Sequence, residues 1–305
     1  MADGPMFGHL CLSPGREIRD HSRMNPLAPF AALVAPHIDR LVLAVHHQMR
    51  VARPDEAESW VASTGLERPG IMINLRPFIL AGRESESTLR RLHRYVLPAS
   101  VDASIATARG AGLLENDSFR ATDKARDVAE RLTLLQTALM EELWGGRPEL
   151  DLLLPVLNRL VDCIPARYPG RCFELARDFA SLPRPVGSDA YVVHHLATSL
   201  RYLRADCHSE VLAEAELGST DAVLLAEVWR SGEAVGEHAP AELVERGLLT
   251  EHGALTTAGR EFRDAIENET NSAAAAIWEA VDEPARTRAL ANLETLDHQR
   301  GEARL

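Results

Sequence analysis

The chain has 305 residues, with 33 Lys and Arg against 45 Asp and Glu, for a net charge of −12. That length allows two ordinary domains with their own cores, and that charge excludes nucleic-acid binding by the surface as a whole, leaving only local basic patches. No uninterrupted apolar run approaches the ~18–20 residues of a spanning helix, and the four cysteines (Cys11, Cys163, Cys172, Cys207) form no C-x-x-C pair, so the expectation is a cytoplasmic protein with reduced thiols, away from membranes.

Residues 1–26 carry Gly, Pro and charges where a signal peptide needs an apolar stretch, and read as a disordered extension, with Met24 an alternative start. Apolar residues at Ile38, Leu41, Val42, Val45 and Met49 have helical spacing. A second helix starts at Pro54 and ends at Gly65. Ile71–Leu80 is apolar and interrupted by Pro77, so helix and strand stay open there. Helices follow over Ser87–Val96 and from Pro98 towards Arg109.

An internal comparison is more informative. Gly112-Leu113-Leu114 leads through ENDSFRATDKAR into a helix with Val128, Leu132, Leu135, Leu139 and Leu143 on one face. Gly247-Leu248-Leu249 leads through TEHGALTTAGR into another with Phe262, Ile266, Ala273, Ile277 and Val281. In both copies, about 135 residues apart, a Thr (Thr122, Thr256) stands where it can cap the following helix. Helix, tight return and long helix predict a mainly α protein with two tandem winged-helix-like domains, each with a short two-stranded β wing. The alternative is two unrelated helical hairpins sharing G-L-L. The Trp144–Pro148 loop suggests domains at 27–146 and 147–305, the second opening with a helical segment. A Pro-rich irregular stretch spans 165–185, then helices run from about Ala190 to Arg204 and from His208 onward.

LTTAGR with its flank ERGLLTEHG resembles the wing and following helix of multiple-antibiotic-resistance-type (MarR-type) regulators, and FRATDKARDVAERL resembles the same region with Ala121 and Ala125 where Leu and Gly are usual. HLATSLRYLRADCHSEVLAEAEL resembles the central motif of a little-characterised actinobacterial helix-turn-helix family. The motif falls on His195, Ala197, Thr198, Leu200, Arg201, Arg204, Asp206, His208 and Leu212, with Ala205 and Cys207 in place of glycines. It covers roughly the last 115 residues; the first half matches loosely, around Arg76 and Pro98. The resemblance implies a regulator-like protein, and MarR-type terminal helices imply a homodimer through the long helices at 123–143 and 258–281.

In a winged helix, the helix before the wing enters the major groove. The first such helix presents Ser100, Ser104, Thr107 and Arg109, with Arg90, Arg91, Arg94 and Arg120 placed for phosphates, and residues 83–131 hold nine basic against eight acidic side chains. Double-stranded DNA is therefore a partner expected through the first domain; solvated, acid-paired arginines are the alternative. The second copy, with three basic and seven acidic residues over 239–269, is expected not to read DNA.

A polar constellation of His195, Arg201, Arg204, Asp206 and His208 lies beside an apolar stripe; Arg201, Arg204 and His208 fall within about 60° on a continuous helix. It suits a small anionic metabolite, with Arg76 added from the looser match, or else a structural ionic cluster. Asp206 is placed to pair with Arg204 or to cap a helix starting near His208. This gives three readings: a helix-turn-helix regulator responsive to a small anion, a ligand-binding protein or enzyme with its pocket around Arg201, Arg204 and His208, or a protein-interaction module using its acidic face. No nucleophile elbow, phosphate loop or metal-ligand spacing is present, so no cofactor, metal or catalytic residue is expected.

Overall fold

A computed structural model describes residues 24–234 and 239–302. The chain forms α1 (Ala28–Ala52), α2 (Pro54–Thr64), α3 (Gly70–Leu80), α4 (Glu86–Leu92), α5 (Pro98–Gly110), α6 (Asp123–Trp144), α7 (Pro148–Arg167), α8 (Glu174–Ala180), α9 (Asp189–Glu214), α10 (Ser219–Ser231), α11 (Ala241–Glu245), α12 (Thr257–Ala275) and α13 (Glu283–Glu302). Of the expected N-terminal extension, residues 1–23 lie outside the described residues. Asn25 bonds Ser272 of α12 through its backbone N–H at 2.9 Å.

Local chemistry explains the ends of these helices. Pro54 opens α2 with Asp55 and Glu56 in its first turn, and Gly65 closes it at φ +70°. Ser85 and Ser188 cap α4 and α9 by accepting from Thr88 and Tyr191 N–H, each at 3.1 Å. The open stretch at 71–80 is helix α3, buried through Ile71, Met72, Leu75, Arg76, Phe78 and Ile79. Burial on most sides is why no amphipathic period marks it.

The β wings are not there. Among the described residues no β-strand forms, and each expected wing is a single antiparallel bridge, Leu114 to Ala121 and Leu249 to Leu255. The tandem winged-helix expectation with two-stranded wings is thereby corrected. Ala121 and Leu255 immediately precede the capping residues Thr122 and Thr256, so a returning strand has no length before its helix begins. On the other side the turns are Asn116-Asp117-Ser118 and Glu251-His252-Gly253, poor strand formers.

The larger core draws on both ends of the chain: α1 packs against α9, α12 and α13, and Trp278 meets Phe30 edge-on at 5.0 Å between ring centroids. Helix α1 is 25 residues long and contains an 18-residue window of mean hydropathy 1.4, the length and composition of a spanning segment. Its Val34, Ile38, Leu41 and Val45 are nonetheless buried in this core. A second, smaller core holds Val211, Leu212, Leu225, Val228, Leu243, Leu248 and Ile266. Helices α9 and α12 run through both cores. The Asp206 to His208 region is the middle of one unbroken helix, not the start of a new one.

Candidate functional site

The two G-L-L segments share the hydrogen bonds that end one helix and start the next. Leu113 and Leu248 N–H donate to Ala108 and Leu243 C=O, both at 2.9 Å. Gly112 and Gly247 both sit at φ +70°, which lets the preceding helix stop and turn. Thr122 and Thr256 N–H donate to Leu113 and Leu248 C=O at 3.1 Å, and their hydroxyls reach Gly112 and Gly247 C=O at 2.7 and 2.6 Å. The same hydroxyls accept from Ala125 and Gly259 N–H, capping α6 and α12. One module thus occurs twice, with α5 and α11 as the helices that lead into it.

The two leading helices differ in surface. Along α5, Val101, Ile105 and Ala108 are buried, and Ser100, Asp102, Ala103, Ser104 and Thr107 are exposed. The hydroxyls of Ser104 and Thr107 donate to Ser100 and Ala103 C=O in their own helix. Arg90 is exposed and paired with Glu86 and with Asp102 of α5, at 2.7 and 2.6 Å. Arg120 is exposed at the turn and Arg109 half-buried at the end of α5. Helix α11 is one turn long and exposes Glu242 and Glu245.

The other two candidate arginines face inward. Arg91 pairs with Glu174 and Asp178, each at 2.9 Å, which fastens α4 to α8. Arg94 donates to Asp206 at 2.6 Å, Ser209 Oγ at 2.8 Å and Arg91 C=O at 2.9 Å.

Asp206 is 1% exposed and takes its ion pair from Arg94, not from Arg204. Its second oxygen accepts from Ala176 N–H at 2.8 Å, so it satisfies the open first turn of α8, which has no side-chain cap of its own. Burial pushes this carboxyl up, against the pull of Arg94 and the Ala176 N–H.

Arg201 pairs with Asp39 of α1 at 3.1 Å. Arg204 pairs with Glu267 of α12 at 2.7 Å and reaches Asn271 at 3.2 Å. His208 Nδ1 lies 2.9 Å from Thr270 Oγ1, whose hydroxyl donates to Ile266 C=O; the imidazole is therefore the donor at Nδ1. Burial holds its pKa at about 4. The space bordered by Arg201 and Arg204 is about 30 Å³, room for a water. His195 stacks on Phe179 at 4.7 Å and is held at about 4, chiefly by burial.

Arg76 stands apart from this set. It is 5% exposed, and its Nε and Nη1 have no hydrogen-bond partner among the described residues. Its guanidinium carbon lies 5.8 Å from the centre of the Tyr191 ring.

Glu267, Arg263 and Thr270 complete the junction between α9 and α12 without having been singled out in the sequence. Arg263 is 5% exposed, pairs with Glu267 at 2.5 Å and lies over the Trp229 ring. The i, i+4 spacing of Arg263 and Glu267 is the one local signal for them.

Residues 114–304, well over half of the chain, match a family described as Helix-turn-helix family. No curated protein and no solved structure matches the chain. The match begins at the first bridge and runs through both capped helices and the second module, so the chain belongs to this helix-turn-helix family.

Proposed function

We propose that the protein is a DNA-binding, regulator-like protein that uses α5 as its reading helix. The observation that carries this is the contrast between the two copies of one module in a helix-turn-helix family chain. Helix α5, just ahead of the matched residues 114–304, offers a long face of small side chains, Ser100, Ala103, Ser104 and Thr107, whereas α11 within them offers one acidic turn. Small residues let a helix approach base edges closely, and Arg109 and Arg120 at the end of α5 and in the following turn are placed for phosphates. Asp102 lies on the same exposed side, with Arg90 on its carboxylate. The acidic copy serves as scaffold, its α11 packed by Leu243 into the second core.

The test is fluorescence anisotropy of a random-sequence duplex across a salt series. Binding through two or three phosphates gives a log–log salt slope of about −2 to −3, and Arg109→Ala or Arg120→Ala each reduces it by about 1. Absence of binding at the lowest salt ends the reading. Arg91 and Arg94 are unsuitable variants, because their removal strips Glu174, Asp178 and Asp206 of their partners.

A further inference from the structure

A guanidinium cannot shed its proton inside a protein, so a buried arginine needs a counter-charge. Asp206, Asp39 and Glu267 supply it for Arg94, Arg201, Arg204 and Arg263. Arg76 is buried as deeply as Arg263 and has no such partner among the described residues, two of its nitrogens being without any hydrogen bond. The Tyr191 ring lies 5.8 Å from the Arg76 guanidinium carbon, and the Arg76 charge acts on His46 of α1, whose Nδ1 is also buried and unpartnered. Burial lowers the pKa of Arg76, and the groups acting against this are Tyr191 and Tyr202, with no carboxylate among them.

We propose that Arg76 holds a small monovalent oxyanion, of the nitrate, formate or acetate class, between α1, α3 and α9, with His46 and His194 beside it. The charge of the anion follows from the neighbours. Burial first and the Arg76 charge next hold His46 at about 4 and His194 at about 3, and His195 is held at about 4, so all three rings are neutral near pH 7. One uncompensated positive charge is matched by one negative charge; a dianion would replace one imbalance by another. Two free guanidinium nitrogens and the imidazole Nδ1 supply donors or acceptors for planar oxygens. The site is separate from α5 and makes no use of the DNA reading, so either can fail alone.

The experiment is thermal unfolding of the full chain in sodium formate, acetate or nitrate, titrated against sodium gluconate at constant ionic strength. The expected result is a saturable rise, about 5 °C at a hundredfold excess over Kd, with at least one small anion. Arg76→Met removes the charge and its need for a counter-ion, and is expected to unfold no lower than the wild type in gluconate and to lose the rise. Arg201→Met, whose guanidinium is already paired, retains it. Should Arg76→Met not fold, His46→Leu, at a half-buried ring, is expected to weaken the apparent affinity at least threefold. Equal melting in all four salts, or an undiminished rise in the Arg76 or His46 variant, overturns the proposal.

Discussion

Gly259 of the T-T-A-G-R segment is the most exacting position in the second module. A Cβ placed there would lie 2.1 Å from Leu248 C=O oxygen, 2.9 Å from its carbon and 3.0 Å from Leu255 Cδ1. The first two are backbone atoms, so a Gly259→Ala side chain is relieved only by moving α12 about 1 Å from the bridge. That movement breaks the bonds from Thr256 N–H and Thr256 hydroxyl to Leu248 C=O, both at 3.1 Å. Helix propensity alone favours Ala over Gly by about 1 kcal/mol. Against it stand roughly 1–3 kcal/mol of overpacking and about 1 kcal/mol for each lost bond, leaving a net destabilisation of about 2–4 kcal/mol. Because Leu248 and Ile266 belong to the smaller core, the loss is expected first in α10 and α11. Hydrogen exchange resolved along the chain, with denaturant unfolding for the total, measures both. Gly110→Ala, where an added Cβ meets nothing within 4 Å, is the control. A Gly259→Ala protein as stable as the wild type, or more stable, would refute the steric argument and leave propensity in charge.

Two further outcomes follow from buried titratable groups. His194 and His195, at 5% and 6% exposure, are held at about 3 and 4 by burial, below the 6.5 of an unfolded imidazole. The unfolded chain therefore binds more protons between pH 6.5 and about 4, and stability present above pH 6.5 is lost across that window, by about 1.5 kcal/mol per histidine between pH 6.5 and 5. Denaturant midpoints against pH should fall there, and in His194→Gln the fall should shrink by about one histidine's share, the other buried histidines still titrating; unchanged stability from pH 7 to 5 contradicts the assignment. Asp206→Asn leaves Arg94 without its charge partner and is expected to cost about 3 kcal/mol in the same unfolding assay, against less than about 0.5 kcal/mol for the exposed Arg90→Ala.

Elements that bury one face were legible in the sequence, as α6 shows with Val128, Leu132, Leu135 and Leu139. Caps were legible for a chemical reason: Thr122 and Thr256 had a donor waiting three residues on. Helix α3 was not, because it is buried nearly all round and carries Pro77 in its last turns. Asp206 resembled a helix start because Asp favours caps; it does satisfy one, but the helix is α8, thirty residues earlier in the chain. The pairing of Arg94 with Asp206 and of Arg204 with Glu267 joins residues far apart in sequence, which local spacing cannot encode. The wings failed on length, since each return reaches its capping threonine after a single bridged residue.

These long-range pairs share one place in the fold. Along α9, Leu200, Leu203 and Cys207 belong to the larger core and Val211 and Leu212 to the smaller; along α12, Ile266 belongs to the smaller and Ala274 to the larger. Between them lie His208 on one helix and Glu267 and Thr270 on the other, with Asp206 and Arg263 flanking them. Apolar side chains at this level would join the two cores without directional bonds between α9 and α12. Directional bonds from Arg204 to Glu267 and from His208 to Thr270 are satisfied in one register only. Arg94 and Tyr95, which bond Asp206 and Ser209, tie the segment between α4 and α5 to the same stretch of α9. The segment leading into α5 and the helix of the second module are thus tied to one stretch of α9, and a substitution there acts on both.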